Sequence, residues 1–304
     1  MEERIKDVKY CTLCPRECKV DRMTGKKGAC HVQKTMKVAR AALHFWEEPC
    51  ISGKEGSGTV FFSGCPLGCV YCQNREISTG EKGKEVSVEE LVQIFLNLQK
   101  QGANNINLVT AGHFLPDVAE TIRRAKEQGL YIPVVYNSSG YEKAETLRLL
   151  EGLVDIYLPD MKYMESETAR KYSHAEDYPK RAKEAIAEMV RQCPEIMFDE
   201  RGMMKKGVIV RHLLLPGHVK NGKEVLRYLY ETYQNQIYIS IMSQYTPMPQ
   251  MDRYPELNRR VTKREYNRLL DYAVELGIEQ GFLQEGNPAD ESFIPAFNGE
   301  GVDI

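Results

Sequence analysis

Short runs of β-branched and aromatic residues alternate with stretches of helical periodicity along most of the chain. Six of these runs predict strands, at residues 59–62, 106–110, 132–136, 155–158, 208–214 and 237–242. Helical patterns fall between most of them, which is typical of βα units around a parallel sheet. Because about six units are fewer than a closed TIM barrel contains, the pattern predicts an α/β fold with an open, partial (βα)6 barrel.

Two of the predicted helices carry clear start signals. Ser87 and Glu90 form a capping box ahead of apolar residues at helical spacing, and Gly102 ends that pattern. Thr262 and Glu265 form a second capping box before the last amphipathic stretch. Each stretch has one apolar face, so both helices are expected to pack on the sheet.

The chain divides by composition into three parts. Residues 1–37 form a small cysteine-rich lobe that we expect to bind metal, residues 38–283 carry the predicted barrel, and residues 284–304 read as an irregular tail. The sequence contains no internal repeat beyond the βα rhythm.

Composition narrows the classes of function. The chain has 304 residues, of which 42% are hydrophobic and 28% charged, with a formal net charge of −2. A near-neutral chain lacks the basic field of a dedicated nucleic-acid-binding protein. Apolar runs fall short of the roughly 20 residues that a bilayer crossing needs, and the first ten residues are too charged for a signal peptide. We therefore expect a cytoplasmic protein with neither a membrane nor a nucleic-acid partner.

The chain contains nine cysteines, which the cytosol keeps reduced, so metal ligation explains them better than disulfides do. Seven fall in two tight groups, one near the amino terminus and one after the first predicted strand. Cys50 and Cys193 stand apart and are expected to be buried packing residues.

The second group, Cys65, Cys69 and Cys72, is spaced by three and then two residues. Three thiolates can hold three corners of a 4Fe-4S cubane and leave one iron open for a ligand, which predicts chemistry at that iron. The alternative is a zinc site completed by a distant His or Cys, although structural zinc usually draws paired CxxC knuckles.

This loop resembles that of the radical S-adenosylmethionine (SAM) superfamily. The resemblance rests on the cysteine spacing, on Tyr71 directly before the last cysteine, and on the position after the first strand of a partial barrel. It implies an oxygen-sensitive iron–sulfur oxidoreductase that binds SAM at the open iron and reductively cleaves it to a 5′-deoxyadenosyl radical. The radical then abstracts a hydrogen from the substrate. A low-potential electron donor such as flavodoxin or ferredoxin is implied as a partner.

Further segments are similar to proteins related to pyruvate formate-lyase activating enzyme. They comprise residues 45–49, 56–65, 110–113, 137–141, 158–162, 215–217 and 243–247. The resemblance implies a glycyl radical enzyme as the partner. The chain departs from activases that carry extra clusters in an insert after the cysteine loop, since residues 75–85 contain no cysteine.

The same resemblance implies a SAM pocket at the carboxyl ends of the strands, where the βα loops of such folds converge. We expect it to be formed by Tyr71, Thr110, Gly112, Asn137, Ser139, Asp160, Lys162 and Arg211.

Several of these assignments have alternatives. Asp160 and Lys162 would balance the charges of SAM or form a surface ion pair. Asn137 and Ser139 would hydrogen-bond a ribose or only shape a turn. Arg211 would reach the methionyl carboxylate if it faces the barrel interior, in which case strand alternation turns the next residue away.

The loop after the second predicted strand lacks the usual acidic residue. The superfamily often carries Gly-Gly-Glu there, and the glutamate receives the amino group of SAM. In this chain the position reads Ala111-Gly112-His113. Gly112 still permits close backbone approach, whereas His113 either contacts SAM or is a satisfied loop-end histidine. The residue that replaces the glutamate is left open.

The N-terminal group, Cys11, Cys14, Cys18 and Cys30, provides four thiolates for a second metal site. Zinc would staple a lobe too small for its own core, and an auxiliary iron–sulfur cluster would use the same four ligands. Four unliganded thiols are the third alternative.

Three hypotheses for function follow. The first is an activase that abstracts hydrogen from a glycine of a glycyl radical enzyme. The second is radical SAM modification of another peptide, a cofactor precursor or an RNA. The third is a metal-stabilised interaction protein without catalysis. The sequence names neither the hydrogen donor, nor a catalytic side chain, nor the oligomeric state, because hydrogen abstraction depends on position more than on a diagnostic residue.

Overall fold

The computed structural model describes residues 10–249, 251–283 and 295–302. These residues form ten strands in one sheet. The strands are β1 (Met36–His44), β2 (Ser57–Phe62), β3 (Lys84–Val86), β4 (Ile106–Val109), β5 (Val134–Ser138), β6 (Ile156–Pro159), β7 (Met197–Phe198), β8 (Met204–Leu213), β9 (Tyr238–Met242) and β10 (Gly281–Leu283).

Nine α-helices lie within the same residues. They are α1 (Pro49–Ser52), α2 (Arg75–Ser78), α3 (Val88–Lys100), α4 (Leu115–Glu127), α5 (Ala144–Leu147), α6 (Ser166–Ser173), α7 (Tyr178–Gln192), α8 (Val219–Tyr233) and α9 (Lys263–Leu276). None of these helices is long and apolar enough to cross a bilayer.

The sheet is open and mostly parallel. Its order is β10-β9-β8-β6-β5-β4-β2-β1-β3, with β7 paired to β8 alone. The run from β2 to β10 is parallel at every pairing, whereas β1 and β3 extend the sheet antiparallel. The predicted α/β fold with a partial barrel is therefore confirmed. All six predicted strands are present, and their ends differ from the prediction by at most four residues.

Helix capping follows the sequence signals. The Ser87 side chain accepts from the Glu90 amide and Glu90 returns to the Ser87 amide, so the first capping box is present at the start of α3. Thr262 and Glu265 form the second in the same way at α9. Gly102 has a φ of +88°, a left-handed conformation that glycine adopts at little cost and that turns the chain after α3.

The barrel interior is closed at the amino-terminal end of its strands. The short helix α1 places Cys50 and Ile51 against buried residues of β5, β6 and β8. Cys193, after α7, is buried in the larger hydrophobic core. Both isolated cysteines are thus packing residues, as expected, and the open end of the barrel lies at the strands' carboxyl ends.

The described part of the C-terminal segment runs beside β1. The Gly299 amide donates to the Ala39 carbonyl, and the Ala41 amide donates to the Glu300 carbonyl. Phe297 packs edge-on against Phe61. This segment therefore covers part of the sheet beside the barrel opening.

Candidate active site

A cavity of about 680 Å³ opens where the parallel strands end. Its wall brings together most of the side chains that the sequence singled out, namely Cys65, Cys69, Tyr71, Cys72, Thr110, Asn137, Ser139, Asp160, Lys162 and Arg211. Parallel pairing explains the convergence, because the register sets Val109 opposite Asn137 and Ser138 opposite Pro159.

The three cavity cysteines lie on the loop that follows β2. Gly64 starts the loop with a φ of +88°, and a Cβ there would lie 2.5 Å from the Cys30 carbonyl oxygen, so only glycine fits. The Cys72 amide donates to the Cys69 carbonyl at 3.1 Å and tightens the loop. Ser173 Oγ lies 2.9 Å from Cys69 Sγ. The loop therefore presents all three thiols to one cavity.

These thiols fit an iron–sulfur cluster by their chemistry. All three are free, and burial raises the pKa of Cys69 to about 11 and that of Cys72 to about 12. Metal binding is the usual way in which buried thiols of this kind lose their protons. Within the described residues, no three His, Cys, Asp or Glu side chains lie close enough together to hold a metal ion as they stand. The ligand assignment therefore rests on the donor set and its shared cavity.

Tyr71 joins the cysteine loop to a buried chain of hydroxyls. Its hydroxyl lies 2.6 Å from that of Tyr163, which lies 2.8 Å from Ser173 Oγ. Because Ser173 also contacts Cys69, these hydroxyls hold the loop from behind while the Tyr71 ring lies in the cavity wall. The geometry gives this aromatic residue a supporting contact to the cysteine loop.

Arg211 faces the cavity and lies at the centre of a buried ionic network. Its Nε lies 3.0 Å from Asp160 Oδ1, its Nη1 3.1 Å from Glu47 Oε2, and its Nη2 2.6 Å from Asn137 Oδ1. Asp160 lies directly beside Arg211 across a parallel bridge between neighbouring strands. His212 points to the other side and contacts the Met161 carbonyl, as strand alternation predicts.

Asp160 and Lys162 are not a surface ion pair. Their side chains are 17% and 15% exposed, and Lys162 Nζ lies 2.5 Å from Asp160 Oδ2. Burial opposes ionisation of Asp160, but the charges of Lys162 and Arg211 outweigh it and hold its pKa below the ordinary value. Both groups are therefore charged inside the cavity wall, where a ligand's charges would be felt strongly.

Thr110 and Ser139 mark the ends of β4 and β5. Thr110 has a φ of +60°, which is uncommon for a β-branched residue and typical of strained functional positions. Its amide donates to the Asn137 carbonyl at 2.9 Å. The Ser139 carbonyl accepts from the Tyr178 hydroxyl at 2.8 Å, which leaves its side chain in the cavity wall.

His113 is a buried packing residue in this structure. Its Nε2 lies 2.8 Å from the Ser63 carbonyl oxygen, and burial lowers its pKa to about 3. Among the described residues, neither His113 nor Gly112 belongs to the cavity wall. A Cβ on Gly112 would instead lie 3.0 Å from Tyr136 Oη and 3.4 Å from Glu142 Oε1.

Three glutamates near the cavity were not identified from the sequence. Glu142 is buried beside Gly112, accepts from Ser138 Oγ at 2.8 Å, and has its pKa raised to about 7 by burial. Glu47 and Glu48 come from the turn between β1 and α1 and line the cavity floor. For Glu47 and Glu48, the available signal was their position in residues 45–49, a segment similar to the activase-related proteins to which no function was assigned.

The N-terminal cysteines lie near one another and form the N-terminal cysteine cluster, Cys11, Cys14, Cys18 and Cys30. The Cys11 amide donates to the Val20 carbonyl, which folds the chain back on itself. A Cβ on Gly28 would lie 3.2 Å from Cys30 Sγ and 3.4 Å from Cys18 Sγ, so both sulfurs crowd this glycine. Burial raises the pKa of Cys14 to about 12, and the other three thiols add to the shift. Four free thiols thus lie close together, although they do not converge as tightly as the ligands of a formed metal site.

Arg16 connects the N-terminal cysteine cluster to the loop of the cavity cysteines. Its guanidinium donates to the carbonyls of Pro66 at 2.8 Å and Ser173 at 3.1 Å, and also to that of His174. It lies over the Tyr141 ring at 5.2 Å. One side chain of the lobe therefore holds the cysteine loop and the end of α6 together.

Comparison with known proteins agrees with this geometry. The model of the radical SAM superfamily matches residues 59–229, more than half of the chain. An uncharacterized protein of Methanocaldococcus jannaschii is 28% identical over 279 residues, which cover 89% of this chain and 76% of that protein.

Two further matches are more limited. The pyruvate formate-lyase-activating enzyme of Clostridium pasteurianum is 28% identical over 116 residues, 36% of this chain and 46% of that enzyme. The crystal structure of SuiB from Streptococcus suis bound to S-adenosylmethionine matches with a TM-score of 0.50 and 14% identity, over 73% of this chain and 48% of that one. The second match bears on the fold alone.

Proposed function

This chain belongs to the radical SAM superfamily, and we propose that Cys65, Cys69 and Cys72 hold the 4Fe-4S cluster with which it cleaves SAM. One observation carries the assignment. The three thiols are free and line the same cavity, and the cubane would keep one iron open because this loop provides three ligands and not four.

When bound, the cluster provides the open iron and the electron for reductive cleavage of SAM to a 5′-deoxyadenosyl radical. The chain's own residues orient SAM and exclude water. In this proposal the ion pair of Asp160 and Lys162 binds the charged methionyl end of SAM, and Asn137 and Ser139 hydrogen-bond its ribose. Arg211 holds Asp160 and Asn137 in place at 3.0 and 2.6 Å.

We further propose Glu142 as the carboxylate for the amino group of SAM. His113 cannot take this role in the described geometry, because its ring is buried against Ser63 and stays neutral. Glu142 lies outside the cavity wall, where it accepts from Ser138 of that wall and lies beside Gly112 in the turn after β4, so SAM would replace the Ser138 contact. This placement supports a carboxylate on the expected side of the pocket, supplied by the next loop along the sheet.

For the substrate, we propose a hydrogen abstracted from a glycine of a partner glycyl radical enzyme. Similarity to an enzyme named for activating pyruvate formate-lyase supports this partner. A deuterium-labelled glycine peptide tests it, since abstraction would carry the label into 5′-deoxyadenosine. Absence of label would favour another peptide, a cofactor precursor or an RNA.

We propose that residues 1–37 act as a metal-binding lobe, in which four cysteines hold zinc or a second cluster. The proximity of the four thiols supports a metal, and Arg16 would connect that metal's lobe to the catalytic loop. Electrons would come from a low-potential donor such as flavodoxin or ferredoxin.

Electron paramagnetic resonance tests the cluster assignment. Anaerobically reconstituted and reduced protein should give a 4Fe-4S signal that shifts when SAM is added, since SAM would bind the open iron. The Cys69→Ala variant should lose the SAM-dependent shift. A wild-type signal that stays unchanged when SAM is added would refute the proposal.

A further inference from the structure

The cavity wall has more acidic than basic groups, and burial raises the pKa of two of the acids, Glu47 and Glu48. A cation bound beside them would favour their charged forms. Among the described wall residues, three carboxyl groups face two permanent cations, namely Glu47, Glu48 and Asp160 against Lys162 and Arg211. Burial lowers the pKa of His44, which also lines the wall, to about 4, so it adds no charge at neutral pH.

Lys162 and Arg211 already form ion pairs with the other two carboxyl groups, Asp160 and Glu47. Lys162 lies 2.5 Å from Asp160, and Arg211 lies 3.0 Å from Asp160 and 3.1 Å from Glu47. The third hydrogen bond of Arg211 goes to Asn137. Glu48 lies within the field of Arg211 but forms no ion pair with it within the described part of the chain, and burial keeps the pKa of Glu48 raised. It is therefore the carboxyl group that the network leaves without a cationic partner.

Glu48 also has an unused hydrogen-bond acceptor. The residue is 8% exposed, and its Oε2 has no hydrogen-bond partner among the described residues. The Ser240 hydroxyl hydrogen-bonds to the carboxyl group from β9 and fixes its position. A buried carboxyl with one idle oxygen costs free energy unless a ligand completes its shell.

Part of the cavity wall is apolar. Pro49, Met242 and Phe282 line the same cavity, and Phe45 and Trp46 from the same segment lie in its wall with about half of their surfaces exposed. This arrangement fits a ligand with an apolar stem and a cationic end that reaches the floor.

We infer that Glu48 anchors the substrate by accepting hydrogen bonds from an alkylammonium group, whose apolar stem runs along Pro49 and Phe282. This inference rests on the proposal that the cavity is the active site, and it names a group by which the substrate binds, distinct from the hydrogen donor. An ammonium would provide the donor that Oε2 lacks and a positive charge that favours the ionised carboxylate. An oxidised 4Fe-4S core with its three thiolates would carry about −1 and SAM about +1, so together they would leave the charge balance at Glu48 unchanged.

Fluorescence of Trp46, which is the one tryptophan of the chain, provides the readout. Cluster-loaded protein with saturating SAM and no reductant is titrated with n-hexylammonium and, separately, with 1-hexanol. We expect saturable binding of the ammonium at least roughly 10-fold tighter than that of the alcohol, as for a charge-assisted hydrogen bond in a buried site. The Glu48→Gln variant, which keeps the shape of the side chain, should lose that preference, and the exposed Glu81→Gln variant should keep it.

Equal affinity for the alcohol, an unchanged preference in Glu48→Gln, or no ammonium binding would each overturn the inference. Ammonium binding that appears only when SAM is left out would overturn it too, because Glu48 would then belong to the SAM site. The wild-type preference for ammonium over alcohol does not depend on how Glu48→Gln folds. SAM cleavage, assayed separately, decides the proposed function, so the two failures are distinguishable.

Discussion

Arg16 Nε lies 2.8 Å from the carbonyl oxygen of Pro66, and this contact joins the N-terminal cysteine cluster to the loop of the cavity cysteines. The same guanidinium reaches Leu67 and the end of α6. Because the planar guanidinium donates in several directions at once, a lysine cannot reproduce these contacts.

We therefore predict that Arg16→Lys loosens the cysteine loop. Freshly reconstituted variant should contain as much iron as the wild type but lose it to a chelator several-fold faster. Lys143→Met is the matched control, since Lys143 binds Glu17 of the lobe at 2.8 Å without touching the loop. Iron loss at the wild-type rate in Arg16→Lys would mean that the contact does not hold the loop.

Replacing Arg211 should destabilise the fold strongly. Arg211→Met leaves Glu47 and Asp160 without their shared partner in a buried site, which costs about 3–5 kcal/mol in free energy of unfolding. Adding Glu47→Gln should recover part of this loss, because one uncompensated charge is removed. Denaturant unfolding measures both, with the exposed Arg123→Met expected to cost about 1 kcal/mol or less. A small loss for Arg211→Met would contradict the buried network.

His113 should make the fold sensitive to acid. Its pKa is about 3 in the folded protein against an ordinary 6.5, so the unfolded chain takes up a proton that the folded chain refuses. Stability is therefore full above pH 6.5 and falls as the pH drops towards 3. Between pH 7.5 and 5 the loss from one such histidine is about 2 kcal/mol.

His113→Gln tests this prediction, because a neutral amide can still donate to Ser63. The variant should show a smaller fall in unfolding free energy between pH 7.5 and 5. The part of the fall that comes from His212, whose pKa burial lowers to about 4, should remain. An unchanged pH profile would show that His113 is not buried in its neutral form.

The N-terminal cysteines should retain a metal when the catalytic loop cannot. In the Cys65→Ala/Cys69→Ala/Cys72→Ala variant, metal analysis should find either zinc or about four irons per chain. Zinc would make that variant colourless, whereas iron would leave it brown. Further replacement of Cys14 should release whichever metal is bound. Triple-variant protein without any metal would favour the alternative of four unliganded thiols.

The fold was predictable where one element dictates its own structure. The capping boxes at Ser87 and Thr262, and the buried runs of β4 and β5, depend on local sequence and were identified correctly. Strand β1 was missed because its core-facing alanines give a weak apolar pattern, and β10 because three residues carry little periodicity. Both depend on the partner strand more than on their own sequence.

The candidate site was predictable in its membership but not in its pairing. Strand ends predicted that Asn137, Asp160 and Arg211 would converge, since parallel strands bring their carboxyl ends to one edge. The link from Arg211 to Glu47 joins residues 164 positions apart, and the sequence gives no signal for it. The same holds for His113, whose burial depends on the distant Ser63 carbonyl and Arg22.

Cleavage of SAM tests the central claim most directly. Anaerobically reconstituted protein is mixed with SAM and a strong reductant, and 5′-deoxyadenosine is quantified by chromatography. We predict multiple turnovers or a stoichiometric burst in the wild type and in the packing control Cys193→Ala. Each of Cys65→Ala, Cys69→Ala and Cys72→Ala should form none, because two thiolates cannot keep a cubane with one open iron. Cluster-loaded wild-type protein that leaves SAM intact, or any of these three variants that still cleaves it, would contradict the account.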